Sequence, residues 1–344
     1  MIPIQNIYYM LSYAFQVLNE QGYKNIATEQ FNNTGELMAA ILEKGIAIQL
    51  KRGLGKEYIL QTEALSSLRG KIDIAESIKT QSMLRKQLIC TYDEFSVNSI
   101  MNRIIKSTVE LLLRSNISKQ RKKNLRKLMV YFSEVDFIDL YTVNWNVQYN
   151  RNNQTYRMLI SICYLVVKGL LQTQSNGHTE LMDFLDEQRM CRLYEKFILE
   201  YYRKEFKNQF TANASQIPWQ LDNEENSMLP VMQSDIMLQS GEKVLIIDAK
   251  YYEHSTQVQF DKHTLHSGNL YQIFTYVKNK EYELREKDHT VSGMLLYAKT
   301  DEEIYPNNVY QMSGNQITVR TLDLNLSFDE IAGQLNTIAK THFD

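Results

Sequence analysis

Asp235, Asp248 and Lys250 are the residues of this 344-residue chain whose types and spacing point most directly to chemistry. They lie in SDIMLQSGEKVLIIDAK, where the apolar runs 236–238 and 244–247 flank the polar Gln239-Ser240-Gly241-Glu242 and so predict a β-hairpin. Side chains alternate along a strand, so Asp248 and Lys250 share a face while Ala249 points away, and the hairpin register can set Asp235 beside them. Two carboxylates with an ammonium one pleat further on suit Mg2+, which prefers carboxylate oxygens and keeps several of its waters, with the lysine orienting or deprotonating one of them. The reaction this favours is phosphodiester hydrolysis. The plain alternative is a set of solvated strand-end charges, because an Asp-x-Lys arises about once by chance in a chain of this length.

Other residues bear on the same chemistry. The helix predicted over 191–206, CRLYEKFILEYYRKEF, is apolar around much of its circumference, and Glu195 falls on a packed side of it. A carboxylate there is costly unless paired or metal-bound. Glu195 is therefore a candidate third carboxylate, or else a partner for nearby Arg192. A second helix is predicted over 270–277, capped by Ser267-Gly268-Asn269, and places Gln272 and Tyr276 at i, i+4 on one face, able to orient a lysine or hold a phosphate oxygen. His263 and His266, also spaced i, i+3, lack the regular ligand pattern of a transition-metal site, as does His254. Gly53-x-Gly55-Lys56 lacks the glycine spacing and the Ser or Thr of a phosphate loop, so the chain has no nucleotide-hydrolysing site of its own.

These residues need a scaffold, and the chain is long enough for two domains. The Asn- and Gln-rich stretch 144–155 marks the expected junction, giving an N-terminal domain 1–150 and a second domain 151–344. The first is predicted to mix helices and hairpins. Residues 2–20 form a helix made aromatic nearly all round by Tyr8, Tyr9 and Tyr13, a second helix covers 34–44, and 46–50 with 58–62 make a hairpin with the basic tip Lys51-Arg52-Gly53-Leu54-Gly55-Lys56-Glu57. A helical pattern from 96 to 131 is interrupted by the run KQRKKNLRK at 119–127, the strongest local cationic patch, which is either a solvated helix face or a contact for DNA phosphates or an acidic partner. The second domain is α/β (α+β), a central mixed sheet flanked by helices, with 294–298 and 317–322 as further strands.

Composition excludes several classes. The formal net charge of −2 is not that of a chain that holds DNA by itself, so a nucleic-acid substrate would be delivered by something else. Three scattered cysteines read as reduced thiols of a cytoplasmic protein. No secretory signal opens the sequence, and the longest apolar stretch, 159–171, is too short to span a bilayer, so no membrane partner is expected.

Glu on a helix, then Asp, then Asp-x-Lys closing the next strand, then Gln-x-x-x-Tyr on a following helix resembles the PD-(D/E)xK nuclease superfamily. More specifically, IPIQNIYYMLSYAF, RGKIDIAESIK, DEFSVNSIMNRIIK, DFLDEQRMCRLYEKFILEYYRKEF and IIDAKYY with LYQIFTYV, in that order, resemble the McrC family over nearly the whole chain. The resemblance implies a restriction-endonuclease-like second domain in which Asp235 and Asp248 are metal ligands for Mg2+, Lys250 orients water, Glu195 is an auxiliary acid and metal ligand, and Gln272 and Tyr276 support. Ser234 stands where the superfamily name has Pro. The resemblance also implies a McrB-like AAA+ GTPase partner that binds GTP, is stimulated by the N-terminal domain and presents double-stranded, modified DNA of the 5-methylcytosine type. Arg52, Lys56 and Arg69 are candidate interface cations. Two other readings stay open, a non-catalytic adaptor that stimulates a partner NTPase and a stand-alone DNA nuclease.

Overall fold

The computed structural model describes residues 2–15, 18, 26, 29, 31, 33–151, 153–176, 187–223, 228–252, 257–259, 262–299 and 305–344. It resolves into two compact units, a sheet unit formed by Met1–Gln30 with Leu185–Asp344, and a helical unit formed by Phe31–Phe184. The boundary expected at residue 150 is thus corrected at both ends of the first domain, for reasons that lie in the packing of the first and sixth helices.

Helix α1 (Ile4–Ala14) belongs to the sheet unit. Asn6 donates from Nδ2 to the carbonyls of Leu324 and Leu326, each at 2.8 Å, and Tyr13 donates to Glu205 at 2.9 Å. The rings of Tyr9 and Tyr13 stack on Phe328. A helix apolar on nearly every side needs more than one wall, and these elements of its own unit provide them.

In the helical unit, α2 (Thr34–Arg52) starts at Asn33, whose side chain accepts from the Glu36 amide at 2.8 Å. It absorbs residues 46–50, which the sequence had placed in a hairpin. Leu37, Ile41, Leu42 and Ile46 keep the helical period to the end, Lys51 and Arg52 complement the carboxyl-terminal dipole, and Gly53, at φ 91°, ends the helix. The real pairing is β1 (Glu57–Leu65) with β3 (Leu88–Ser96), antiparallel from Glu57↔Ser96 to Leu65↔Leu88, with β2 (Lys71–Asp73) on the other edge of β3. Helix α3 (Ile74–Lys79) follows β2. After β3 come α4 (Ile100–Arg114), α5 (Lys119–Met129) and α6 (Tyr156–Asn176), so the basic run is itself a helix. A buried polar node holds α6 in this unit. The Tyr156 hydroxyl donates to Asn102 Oδ1 and accepts from the Gly55 amide, both at 2.7 Å, while Asn102 Nδ2 reaches the carbonyls of Gly55 and Val97.

The sheet unit continues with α7 (Glu187–Glu205), β4 (Thr211–Asn213), β5 (Gln216–Ile217), β6 (Met232–Gln233), β7 (Ile236–Ser240), β8 (Lys243–Lys250), β9 (Gln257–Gln259), β10 (Lys262–Thr264), α8 (Ser267–Leu284), β11 (Thr290–Ala298), β12 (Asn308–Met312), β13 (Asn315–Leu322) and α9 (Phe328–Phe343). The central sheet has the order β12-β13-β11-β8-β7-β4, parallel across β8, β11 and β13 and antiparallel elsewhere. Helix α8 makes the crossover from β8 to β11 and packs Ile273 and Val277 on Val244, Ile246, Leu295 and Val319. It lies so close that a Cβ on Gly293 would meet Ile317, Val277 and Ile273 within 2.9 Å. The opposite side carries α7 and α9, joined by the Tyr202 hydroxyl donating to the Leu335 carbonyl at 3.0 Å. Among the described residues no helix is long and apolar enough to cross a membrane.

Candidate active site

The β7–β8 hairpin forms as its sequence predicts, with the turn narrowed to Gly241-Glu242 and Gly241 at φ 56°. Its register pairs Ile236 with Ile247, so Asp235 stands beside Asp248 across the strands. Asp235 Oδ2 accepts the Ala249 amide at 2.9 Å, which fixes one carboxylate to the backbone between Asp248 and Lys250. Asp248 is 1% exposed, and among the described residues neither of its oxygens receives a well-aligned hydrogen bond. Its one close charged contact is Lys250 Nζ, 2.8 Å from Oδ2.

Lys250 is held in turn. Its ammonium donates to Gln272 Oε1 at 3.4 Å, and Gln272 Nε2 donates to the Tyr276 hydroxyl at 2.9 Å. The i, i+4 pair on α8 therefore reaches the strand end as its spacing predicts. Ser267-Gly268-Asn269 form the first turn of α8, with His266 before it contributing no side-chain cap. Glu195, on α7, accepts from the Cys191 thiol at 3.0 Å.

The electrostatics follow from burial and crowding. Burial pushes the Asp248 carboxyl up to about 7; the Lys250 ammonium opposes the rise and the Asp235 carboxylate adds to it. Burial, and next the Asp235 charge, also raise Glu195. At Lys250, burial works to lower the pKa, but Asp248 and Asp235 outweigh it and hold the ammonium above its ordinary value. Burial drives the Cys191 thiol to about 12, with Glu195 adding to the rise, so it is a neutral donor and no nucleophile.

A buried carboxylate without aligned donors beside a second carboxylate is a donor set of the kind a hard divalent cation takes. Among the described residues no group of three or more His, Cys, Asp and Glu side chains is placed to hold a metal. Asp235 and Asp248 alone match the one or two carboxylates that Mg2+ uses, whereas Glu195 joins them through its field. The histidines form no such set: His263 is on β10, His266 precedes α8, and His254 lies outside the described residues.

Sequence reasoning missed one cluster. Tyr297 sits opposite Lys250 on β11, is fully buried, and accepts from Asn269 Nδ2 at 2.9 Å, while Asn269 Oδ1 accepts from the Tyr252 hydroxyl at 3.4 Å. Tyr252 is two residues beyond Lys250 on the same pleat, the only signal in the sequence that could have pointed to it.

The sequence model described as McrBC 5-methylcytosine restriction system component matches residues 5–298. The chain belongs to this family. It is 30% identical over 329 residues to the Type IV methyl-directed restriction enzyme EcoKMcrBC of Escherichia coli (strain K12), an alignment covering 94% of this chain and 93% of that relative. Its fold is similar to a chain in the refined half-complex of a tetradecameric assembly of Thermococcus gammatolerans McrB AAA+ hexamers with bound McrC, with a TM-score of 0.50 and 18% identity over 98% of this chain and 76% of that one. The family membership and the mixed α/β fold agree with the resemblance carried by the sequence motifs.

Proposed function

We propose that this chain is the endonuclease subunit of a modification-dependent restriction system, hydrolysing phosphodiesters of double-stranded DNA in the cytoplasm. The observation that supports this most is the pairing of Asp235 with the buried, hydrogen-bond-poor Asp248 beside Lys250, in a member of a restriction family. Asp235 and Asp248 would hold Mg2+, which when bound supplies Lewis-acid polarisation of the scissile phosphate. Lys250, kept protonated by its carboxylate neighbours, acts as a donor that orients the attacking water and not as a proton acceptor. Gln272 and Tyr276 fix the direction of that ammonium. Glu195 is the auxiliary acid, its rotamer set by Cys191, and adds negative field without a ligand bond of its own.

The partner in this reading is a McrB-like AAA+ GTPase that binds GTP and 5-methylcytosine-type DNA and is stimulated by the helical unit. A surface suited to docking is present there. Tyr58, Leu60 and Phe95 on β1 and β3 and Ile74 and Ile78 on α3 are all more than half exposed, as are Met83 and Leu84 beyond it. Monomers rarely expose so many large apolar side chains together. Lys56 and Arg69 lie over the rings of Phe95 and Tyr92 on the same strands, and Arg52 ends α2.

The test is plasmid cleavage with Mg2+ by wild type and Asp248→Ala, with and without the partner GTPase and GTP, on methylated and unmethylated DNA. Cleavage that needs partner, GTP and modified DNA, and is lost in Asp248→Ala, is expected. Cleavage by the chain alone would make it a stand-alone nuclease. Raised GTPase rates without cleavage in any condition would make it an adaptor.

A further inference from the structure

Charge is divided unevenly between the two units. The helical unit, residues 31–184, carries 21 Lys and Arg against 14 Asp and Glu, a net +7, and the remainder carries 17 against 26, a net −9. The unit with the candidate active site thus repels a polyanion, and the near-neutral total conceals a cationic half.

The cations of the helical unit concentrate on α5, whose two faces differ. Arg121, Asn124, Leu125 and Leu128, at i, i+3, i+4 and i+7, form the inner face. Arg121 pairs with Glu43 at 2.8 Å and Glu36 at 3.4 Å, Asn124 donates to Glu43 at 2.9 Å, and Leu125 is fully buried. Lys119, Lys122, Lys123, Arg126 and Lys127 repeat the same period on the outer face. Four of these are exposed and Lys122 is half-buried, and among the described residues none of the five has an ion-pair partner.

Nothing in the isolated fold rewards this arrangement. Lys119–Lys123, Lys122–Arg126 and Lys123–Lys127 are like-charged i, i+4 pairs, which destabilise a helix. The first turn holds cations and no acid, the reverse of what the helix dipole favours. The stripe runs about 12 Å, from the 1.5 Å rise per residue, and duplex DNA presents one negative charge per about 1.7 Å of axis. A row of five unpaired cations on that scale matches a phosphate backbone.

We propose that the outer face of α5 is a sequence-independent DNA-backbone-binding surface, which supplies the grip that the negatively charged catalytic unit lacks. The identification of the polyanion as DNA rests on the restriction reading; the cationic stripe does not. The test is fluorescence anisotropy of the full-length chain, alone and with the partner GTPase, on a 40-base-pair duplex at roughly 50 to 200 mM NaCl, a range over which phosphate contacts cost affinity steeply. The proteins compared are wild type, the triple variant Lys123→Glu/Arg126→Glu/Lys127→Glu, the milder Lys123→Gln/Arg126→Gln/Lys127→Gln, and Asp248→Asn.

The Gln triple should flatten the slope of log K against log salt by about 2.7 for three lost phosphate contacts. The Glu triple should weaken binding further, and Asp248→Asn should keep the wild-type slope. Removing repulsion should leave the melting temperature unchanged or raised, and the Gln triple serves if the Glu triple does not fold. A slope unchanged in the Gln triple overturns the proposal, as does wild type showing no salt-dependent DNA binding with or without partner. An unchanged slope with weakened partner binding would assign the stripe to an acidic protein face instead. Loss of cleavage in Asp248→Asn is read separately, so the nuclease reading can fail while this one stands.

Discussion

Replacing Asp248 by Asn tests the electrostatics of the site without any assay of DNA cleavage. The carboxyl is held at about 7 in the fold against its ordinary 3.8, so between those values the native chain keeps a proton that the unfolded chain has released. The stabilisation this gives is complete below 3.8 and is lost as pH rises through about 7. The rate of loss is about 1.4 kcal/mol per pH unit, so wild type should lose roughly 3 kcal/mol between pH 5 and 7 and level off above. With Asp248 1% exposed, solvent screening removes little of this. The Lys250 ammonium, raised above its ordinary 10.5, contributes a constant amount across the window because both states are protonated there.

Asp248→Asn should abolish that slope. Its stability relative to wild type should rise by roughly 3 kcal/mol from pH 5 to 7, on top of a constant offset from the lost Lys250 partner. Glu195 titrates upward because of burial and Asp235, so it contributes equally to both proteins and cancels. The chain has two tryptophans, Trp145 in the helical unit and Trp219 in the sheet unit, where Trp219 donates to the Pro230 carbonyl at 2.7 Å. Urea titrations of a Trp145→Phe background therefore follow the sheet unit alone. At pH 8, Mg2+ at 100 times its dissociation constant should restore about 2.7 kcal/mol to wild type and little to Asp248→Asn. Parallel pH curves for the two proteins would refute the buried, poorly bonded carboxylate and with it the reason to place a cation there.

Further outcomes are expected elsewhere. Lys250→Ala should lower the cleavage rate by about 100- to 10,000-fold, whereas Gln272→Ala, acting through Lys250, should cost roughly tenfold, both measured in single-turnover assays with the complete complex. Gly293→Ala should destabilise the sheet unit by about 1 to 3 kcal/mol, because the new Cβ meets Ile317, Val277 and Ile273 beneath α8; urea unfolding by Trp219 fluorescence measures it. Asn102→Ala should destabilise the helical unit by about 1 to 3 kcal/mol through the unpaired Gly55 and Val97 carbonyls, read from Trp145 in a Trp219→Phe background. Tyr58→Asp with Phe95→Asp should weaken partner binding by at least about 2 kcal/mol, measured by calorimetry, and leave the unfolding midpoint unchanged because both rings are exposed.

What was legible in the sequence follows the range of the forces involved. The β7–β8 hairpin and the Gln272–Tyr276 pair are local, set by period and turn within about ten residues, and both arrive where their spacing places them. Residues 46–50 were misread because a short apolar run carries no period of its own; only continuity with Leu37, Ile41 and Leu42, closed by Gly53, decides for helix. The domain boundary failed for a non-local reason. Residues 144–155 have the polar composition of a linker, but α6 beyond them delivers Tyr156 to Asn102 and Gly55, and α1 crosses more than 300 residues of sequence to meet Leu324.

Charge shows the same limit from the other side. A total of −2 argues against DNA binding only while the chain is treated as one body. Once α1 and α6 are assigned to their units, the same residues separate into +7 and −9. The negative unit then has use for a cation at Asp235 and Asp248, and the positive one has use for a polyanion. A nuclease site that repels its own substrate depends on whatever holds the DNA against it, so the helical unit and its partner would govern when Asp248 and Lys250 act.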